Sequence, residues 1–91
     1  MTILIKELSG EEFQVTVNEK IPTSHTVILT DDIHQNLTNG KVNKKELIEF
    51  SFKFLLEREP NTSILSSFEL SVISTYFPEY IKTVKKWSTK N

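Results

Sequence analysis

Cysteine is absent from this chain, glycine occurs only twice, and no long apolar run interrupts the sequence. Without cysteine the chain can form no disulfide, no thiolate metal site and no cysteine nucleophile, which is typical of a reducing compartment. Two glycines far apart cannot build the phosphate-holding loops of Walker or dinucleotide-binding motifs. No segment reaches the ~18 apolar residues of a membrane span, and the N-terminus has no secretory signal. These absences predict a cytoplasmic protein with no membrane partner.

Residue types that carry chemistry are also few. A formal net charge of −1 predicts no general attraction to nucleic acid. Asp31, Asp32 and His34 are close in sequence, and His25 could join them around a metal ion. The two carboxylates are better explained as the cap and first-turn acids of a helix, and no serine stands at a recognised spacing from a histidine. We predict that the chain is not an enzyme and has no catalytic residue, metal site, cofactor or small-molecule substrate.

The most strongly marked element is a helix over residues 43–59. Asn43 is a good N-cap, Glu46 stands three residues later to complete a capping box, and Pro60 ends the helix. At about 100° per residue, apolar side chains cover an arc of roughly 240°. These side chains are Leu47, Ile48, Phe50, Phe52, Phe54, Leu55 and Leu56. Such a helix must be covered by a sheet on one side and by the C-terminal helices or a second copy of the chain on the other.

The N-terminal third of the sequence alternates with the period of β-strands. Residues 2–8, 12–18 and 25–30 place apolar side chains at every second position. A short turn over residues 9–11 joins the first two strands, and residues 21–24, which include a proline, form a loop. The sequence therefore predicts an antiparallel sheet of about three strands with one face against the central helix.

One short helix is expected before the central helix and another after it. Thr30 or Asp31 can cap the first, which ends where Gly40 fits the left-handed position after a helix. The second opens at residues 61–63 or 66–67, where Ser66 and Glu69 have capping-box spacing. Its inward side chains recur at helical intervals and are Leu70, Ile73, Tyr76 and Phe77.

A last helix is predicted in residues 78–91, where Pro78 suits the first turn. Its apolar stripe lies opposite several lysines and consists of Tyr80 or Ile81, Val84 and Trp87. A few lysines and one tryptophan are typical of a helix docked on its own domain, so we do not assign this segment to a membrane surface.

The chain is therefore predicted to be a single α+β domain, mainly β over residues 1–30 and mainly α over residues 31–91. An N-terminal antiparallel sheet of about three strands packs on a helical C-terminal half. The leading functional hypothesis is a non-catalytic interaction module that binds a protein partner or associates with itself as a homodimer. The side chains expected to provide cover or contact are Phe50, Phe52, Phe54, Tyr76, Phe77 and Tyr80.

A second hypothesis is a dimeric DNA-binding protein. The order of strand, short helix and long helix from residue 25 onward resembles a ribbon-helix-helix unit, whose paired strands enter the major groove. This resemblance implies that Thr26, Ile28 and Thr30 face the bases and that Lys44 and Lys45 grip a phosphate. Against it, the strand carries no arginine, asparagine or glutamine for base edges, and the first helix is about one turn short. The hypothesis requires the strand to pair with its own copy.

The second half of the chain resembles short bacterial and archaeal proteins that have no assigned function. The similarity is carried by residues 54–80, F-L-L-E-R-E-P-N-T-S-I-L-S-S-F-E-L-S-V-I-S-T-Y-F-P-E-Y, and reaches back through L-T-N-G-K-V-N-K-K-E-L-I to Leu37. It covers about half of the chain and supplies no active-site residue. It implies a stand-alone small protein whose C-terminal segment belongs to the domain.

Overall fold

A four-stranded sheet and four α-helices make up the computed structural model, which describes residues 2–89. The sheet comes mainly from the N-terminal third of the chain and the helices from the remainder, so the predicted α+β class is confirmed. Across the described range, none of the helices is both long and apolar enough to cross a membrane.

The first three strands form the antiparallel sheet that the alternation predicts. They are β1 (Thr2–Glu7), β2 (Glu12–Asn18) and β3 (Thr23–Ile28). Each pairs with the next strand along the chain, and Leu4, Thr16 and Ser24 lie side by side across the sheet. The opposite face is buried, because alternate side chains of β2 and β3 enter the core: Phe13, Val15, Val17 and Val27.

Strand β3 differs from its prediction at both ends. It begins at Thr23 rather than His25, because Thr23 and Ser24 pair with β2. Pro22 stays just outside the ladder, where its missing N–H breaks no hydrogen bond. The strand ends at Ile28, so Thr30 lies beyond it and caps the next helix instead.

A fourth strand, β4 (Ser67–Glu69), occupies the segment in which a helix is predicted to begin. It runs parallel to β3, and the sheet order is β1-β2-β3-β4. Backbone hydrogen bonds from Thr26 N to Ser66 O (2.8 Å) and from Leu70 N to Ile28 O (2.9 Å) extend this pairing. The edge of β3 offered unpaired backbone groups, and pairing with them outweighed the weak capping-box signal.

Helix α1 (Asp31–Thr38) begins where Thr30 Oγ1 accepts a hydrogen bond from Ile33 N (3.3 Å), which confirms the predicted cap. The chain leaves the helix through two residues with positive φ, Asn39 at 55° and Gly40 at 73°. Glycine adopts such an angle without steric conflict, so Gly40 lies in the left-handed position predicted for it.

Helix α2 (Lys44–Leu56) starts at the predicted capping box. Asn43 Oδ1 accepts a hydrogen bond from Glu46 N (2.8 Å), and Asn43 N donates one to Glu46 Oε1 (3.3 Å). The helix ends at Leu56 rather than at Glu59, because the chain already turns ahead of Pro60.

The C-terminal elements bury one side each. They are a 3₁₀ turn (Asn61–Ser63), α3 (Val72–Tyr76) and α4 (Tyr80–Thr89). Ile73 of α3 is buried as predicted, whereas Tyr76 is 63% exposed. Tyr80 and Val84 of α4 are fully buried, which confirms the predicted apolar stripe of that helix.

Helix α2 is enclosed by the sheet on one side and by α4 on the other. Toward the sheet, Phe52 is fully buried and its ring centroid lies 5.4 Å from that of His25. Toward α4, Phe50 stacks on Trp87 with ring centroids 4.2 Å apart. The cover that this apolar helix requires therefore comes from its own chain.

The six aromatic residues predicted to provide cover or contact differ in their exposure to solvent. Those held wholly or partly inside the chain are Phe50, Phe52, Phe54, Phe77 and Tyr80. Tyr76 is the only one of the six that is exposed. Five of the predicted residues thus provide cover within the chain, whereas Tyr76 faces solvent.

The ribbon-helix-helix arrangement is contradicted by the pairing of β3. Its strand would have to pair with its own copy, yet β3 is bonded to β2 along one edge and to β4 along the other. Thr26 and Ile28 lie inside this intramolecular sheet, and Thr30 is a helix cap. A ribbon for the major groove cannot form from this strand.

A polar contact crosses the helical layer between Tyr80 of α4 and Ser51 of α2. Ser51 Oγ donates to Leu47 O (2.7 Å), so the Tyr80 hydroxyl donates to Ser51 Oγ (2.6 Å). Burial raises the pKa of the Tyr80 hydroxyl. The folded chain therefore keeps Tyr80 neutral at pH values at which the unfolded chain ionises it.

We expect alkaline pH to destabilise the fold through this tyrosine. Above pH ~10 the unfolded chain loses a proton that the folded chain keeps, so the free energy of unfolding falls by up to ~1.4 kcal/mol per pH unit. In urea titrations between about pH 8 and 11, Tyr80→Phe should lose less stability than the wild type. Tyr76→Phe, which removes an exposed hydroxyl, should follow the wild type. Equal slopes for the wild type and Tyr80→Phe would contradict this account.

Candidate functional site

An open groove of about 320 Å³ lies between the end of α2, the segment that leads into β4, and helix α3. Its floor is part of the hydrophobic core. The floor side chains, all at most 8% exposed, are Leu55, Ile64, Phe68 and Ile73. Two large apolar side chains stand at its rim, Leu65 at 47% exposed and Tyr76 at 63%. The volume is at the lower limit of ligand pockets, about 300–1,000 Å³.

One wall of the groove is fixed by Asn61, which lies just after Pro60 has stopped the central helix. Asn61 is 6% exposed, and its Nδ2 donates to Ile21 O and to Thr23 Oγ1, both at 2.9 Å. These bonds attach the 3₁₀ turn to the start of β3. The chain that follows is therefore held against the sheet and leads directly into β4.

A buried histidine, His25, attaches the same wall at Leu65. His25 is 2% exposed, and its Nδ1 lies 2.8 Å from Leu65 O, which can only accept, so Nδ1 carries a proton. Its Nε2 lies 2.8 Å from Thr23 Oγ1, and this oxygen accepts a hydrogen bond from Asn61 Nδ2. This series of hydrogen bonds holds the Leu65 carbonyl toward the sheet and leaves its side chain at the rim.

The charge at the edge of the groove is negative. Glu59 lines the groove, and its carboxylate has no hydrogen-bond or ion-pair partner within residues 2–89. The neighbouring Arg58 is engaged elsewhere, because its guanidinium lies 3.6 Å from the Phe54 ring centroid and donates to Glu79 at 3.2 Å. A backbone hydrogen bond and the Arg58 guanidinium lower the pKa of the Glu79 carboxyl. Glu59 is thus an unpaired negative charge at the edge of the groove.

The lysines predicted to grip a phosphate are not equivalent in the structure. Lys44 Nζ lies 2.6 Å from Asp31 Oδ1 and donates to Gly10 O at 2.7 Å, and its side chain is only 16% exposed. The hydrogen bond and the charge of Lys44 lower the pKa of the Asp31 carboxyl. A lysine bound in this way is not free for a phosphate, whereas Lys45 is exposed.

Of the acid and histidine residues of α1, Asp31 and His34 have partners within the fold. Asp31 and Asp32 lie in the first turn of α1, as predicted, and His34 Nε2 lies 2.6 Å from Val42 O. Within the range that the structure describes, no three side chains of the metal-binding types form a group.

Sequence patterns singled out Tyr76 and Phe77 for cover or contact and Leu55 and Ile73 as buried, but they missed Leu65 and Glu59. Leu65 lies between residues 61–63 and residues 66–67, the two places where a helix is predicted to begin. A weak signal was the alternation of apolar Phe68 and Leu70 with polar Ser67 and Glu69, which favours an extended chain. A three-residue strand is too short for that pattern to outweigh a capping box.

No protein-family model, no curated protein and no solved structure matches this chain. The resemblance of residues 54–80 to short bacterial and archaeal proteins therefore stays a prediction. From its own residues, the groove can bury apolar side chains and attract a cation at Glu59.

We expect Asn61→Ala to loosen the wall of the groove. The change removes two donated hydrogen bonds at a buried position, so the free energy of unfolding should fall by about 1–3 kcal/mol. Thr62→Ala, at the exposed neighbour, should change it by no more than about 0.5 kcal/mol. Urea denaturation measures both, and amide exchange of Thr26, which donates to Ser66 O, should accelerate in Asn61→Ala. Similar losses in the two variants would show that Asn61 does not hold the wall.

Proposed function

We propose that the chain is a protein-interaction module whose groove binds a short apolar segment of a partner protein. The observation that carries this proposal is the combination of an apolar floor with two large side chains left exposed at the rim, Leu65 and Tyr76. Exposed apolar surface of this kind is unfavourable in water and is typical of interaction sites. Tyrosine is also among the residues that contribute most to binding at interfaces.

The free carboxylate of Glu59 indicates the chemistry of the partner. A lysine or arginine beside the apolar anchor would pair with this carboxylate at the groove edge. Because the pair would be partly solvated, it adds about 0–1 kcal/mol and mainly fixes the orientation of the bound segment. Apolar contact with the floor then supplies most of the affinity.

The rigidity of the wall supports the same function. Asn61 and His25 hold the segment before β4 through bonds that exist without a ligand. A surface that is already in place loses little conformational entropy on binding, so more of the contact energy contributes to affinity.

The proposal is also supported because groups that would serve other functions are already bonded within the fold. Lys44 is bonded to Asp31, and both edges of β3 are paired, so the features that favour DNA binding are used within the fold. His25 and His34 are bonded to backbone carbonyls. Tyr76 and Leu65, by contrast, have no such use and face solvent.

The proposal is tested with a library of random peptides displayed on phage and selected against the full chain. We expect the enriched peptides to carry one or two large apolar residues next to lysine or arginine. When a selected peptide is titrated into isotope-labelled protein, the chemical shifts that move should be those of Leu65, Tyr76 and Glu59. A failure to enrich any such sequence would overturn the proposal.

Substitutions at the rim should separate binding from folding. Tyr76→Ala should weaken binding of a selected peptide by about tenfold or more, because it removes an exposed aromatic contact. Glu59→Gln should weaken it by about threefold and remove the preference for a basic residue. Ile81→Ala changes an exposed apolar residue outside the groove and should bind like the wild type. Calorimetry measures all three, and equal affinities for Tyr76→Ala and Ile81→Ala would exclude the groove as the site.

A further inference from the structure

The outer edge of β1 is a second surface open to a partner. Within residues 2–89 the sheet ends in the three-residue strand β4 on one side and in the six-residue strand β1 on the other. β1 pairs with β2 along one edge only. An edge strand of this length presents N–H and C=O groups that can pair with another chain.

The hydrogen-bond pattern shows which backbone groups are free at this edge. Leu29 N donates to Glu11 O, and Leu8 N donates to Glu12 O, both at 2.8 Å. In antiparallel pairs the bonded residues alternate, so odd positions of β2 bond to β3 and even positions bond to β1. The even residues of β1 are therefore used by β2. The N–H and C=O groups of Ile3 and Ile5 point away from the sheet.

The side chains of this strand are apolar on both faces. Ile3 and Ile5 are half-buried and pack against the core from the covered face. Leu4 lies on the opposite face and is 55% exposed. Lys6 is the single charge among residues 2–6.

We infer that β1 pairs antiparallel with β1 of a second copy of the chain, which joins the two sheets into one of eight strands. With Leu4 on the two-fold axis, Leu4 faces its own copy, Ile3 faces Ile5 of the second copy, and Thr2 faces Lys6. Among residues 2–6, every apolar residue then has an apolar partner, and no two like charges are opposite each other. The Ile3 and Ile5 backbone groups supply the bonded pairs.

Other registers of the same pairing are less favourable. A slip by one residue would place core-facing side chains opposite solvent-facing ones. Centring the axis on Ile5 would place Leu4 opposite Lys6 and Ile3 opposite Glu7. Centring it on Ile3 would pair only Thr2 to Leu4 among the described residues. This self-complementarity of one register is why a second copy fits the edge better than an unrelated strand.

The contact is small and belongs with weak, reversible associations, so it is tested at high concentration. Sedimentation equilibrium of the full chain from micromolar to millimolar concentration should show a monomer that converts to a dimer. Leu4→Lys places two like charges opposite each other on the axis and should weaken association by about tenfold or more. Ile81→Lys adds the same charge on α4 and should associate like the wild type. Leu4 and Ile81 are both exposed, so each variant should fold, which circular dichroism checks.

Amide hydrogen exchange locates the contact. In the dimer, exchange should slow at Ile3 and Ile5 as the concentration rises, while Lys6, bonded to β2, should be protected at every concentration. A chain that stays monomeric throughout would overturn the inference, as would a dimer that survives Leu4→Lys or leaves Ile3 and Ile5 unprotected. Loss of the dimer in Tyr76→Ala would place the interface in the groove instead and would overturn it as well. Because the edge and the groove are separate surfaces, either can fail without the other.

Discussion

The enclosure of one apolar helix is the constraint on which the rest of this fold depends. Phe52 of α2 is buried against the sheet, and Phe54 meets Tyr80 of α4 with ring centroids 5.2 Å apart. Each large apolar side chain buried in this way contributes about 1.5–3 kcal/mol. The chain is too small for two cores, so both layers must close on α2. The connection from β3 to β4 passes through this helix, which brings the C-terminal half back onto the sheet edge.

Polar groups inside the fold hold its elements in position. Within residues 2–89, every buried side-chain nitrogen or oxygen has a hydrogen-bond partner. Ser51 and Tyr80 join α2 to α4, and the bonds of Asn61 and His25 join the groove wall to β3. Satisfied networks of this kind specify one packing arrangement, since moving any member would leave a buried group unpaired. The groove therefore owes its shape to residues that a ligand would never touch.

The start of α2 and the β1-β2 hairpin could be predicted from the sequence, because residues close to each other in the chain determine them. The start of α2 is set by Asn43 and Glu46, which are three residues apart, and the β1-β2 hairpin by alternation and a short turn. β4 could not be predicted in this way, because its three residues become a strand only through the free edge of β3 far away in sequence. The groove was missed for the same reason. Its wall depends on a contact between Leu65 and His25, and no local pattern around either residue indicates that contact.

The positions of the two open surfaces suggest how they would act together. The groove flanks β4 and the free edge belongs to β1, so they lie at opposite ends of the strand order. In a sheet joined through β1, seven strand spacings of about 4.8 Å would separate the two copies of β4 by roughly 34 Å. Both grooves would then remain open, far enough apart for one partner each or for two sites on a single extended partner. A weak dimer could in that way raise the effective affinity of a shallow groove without any new contact inside it.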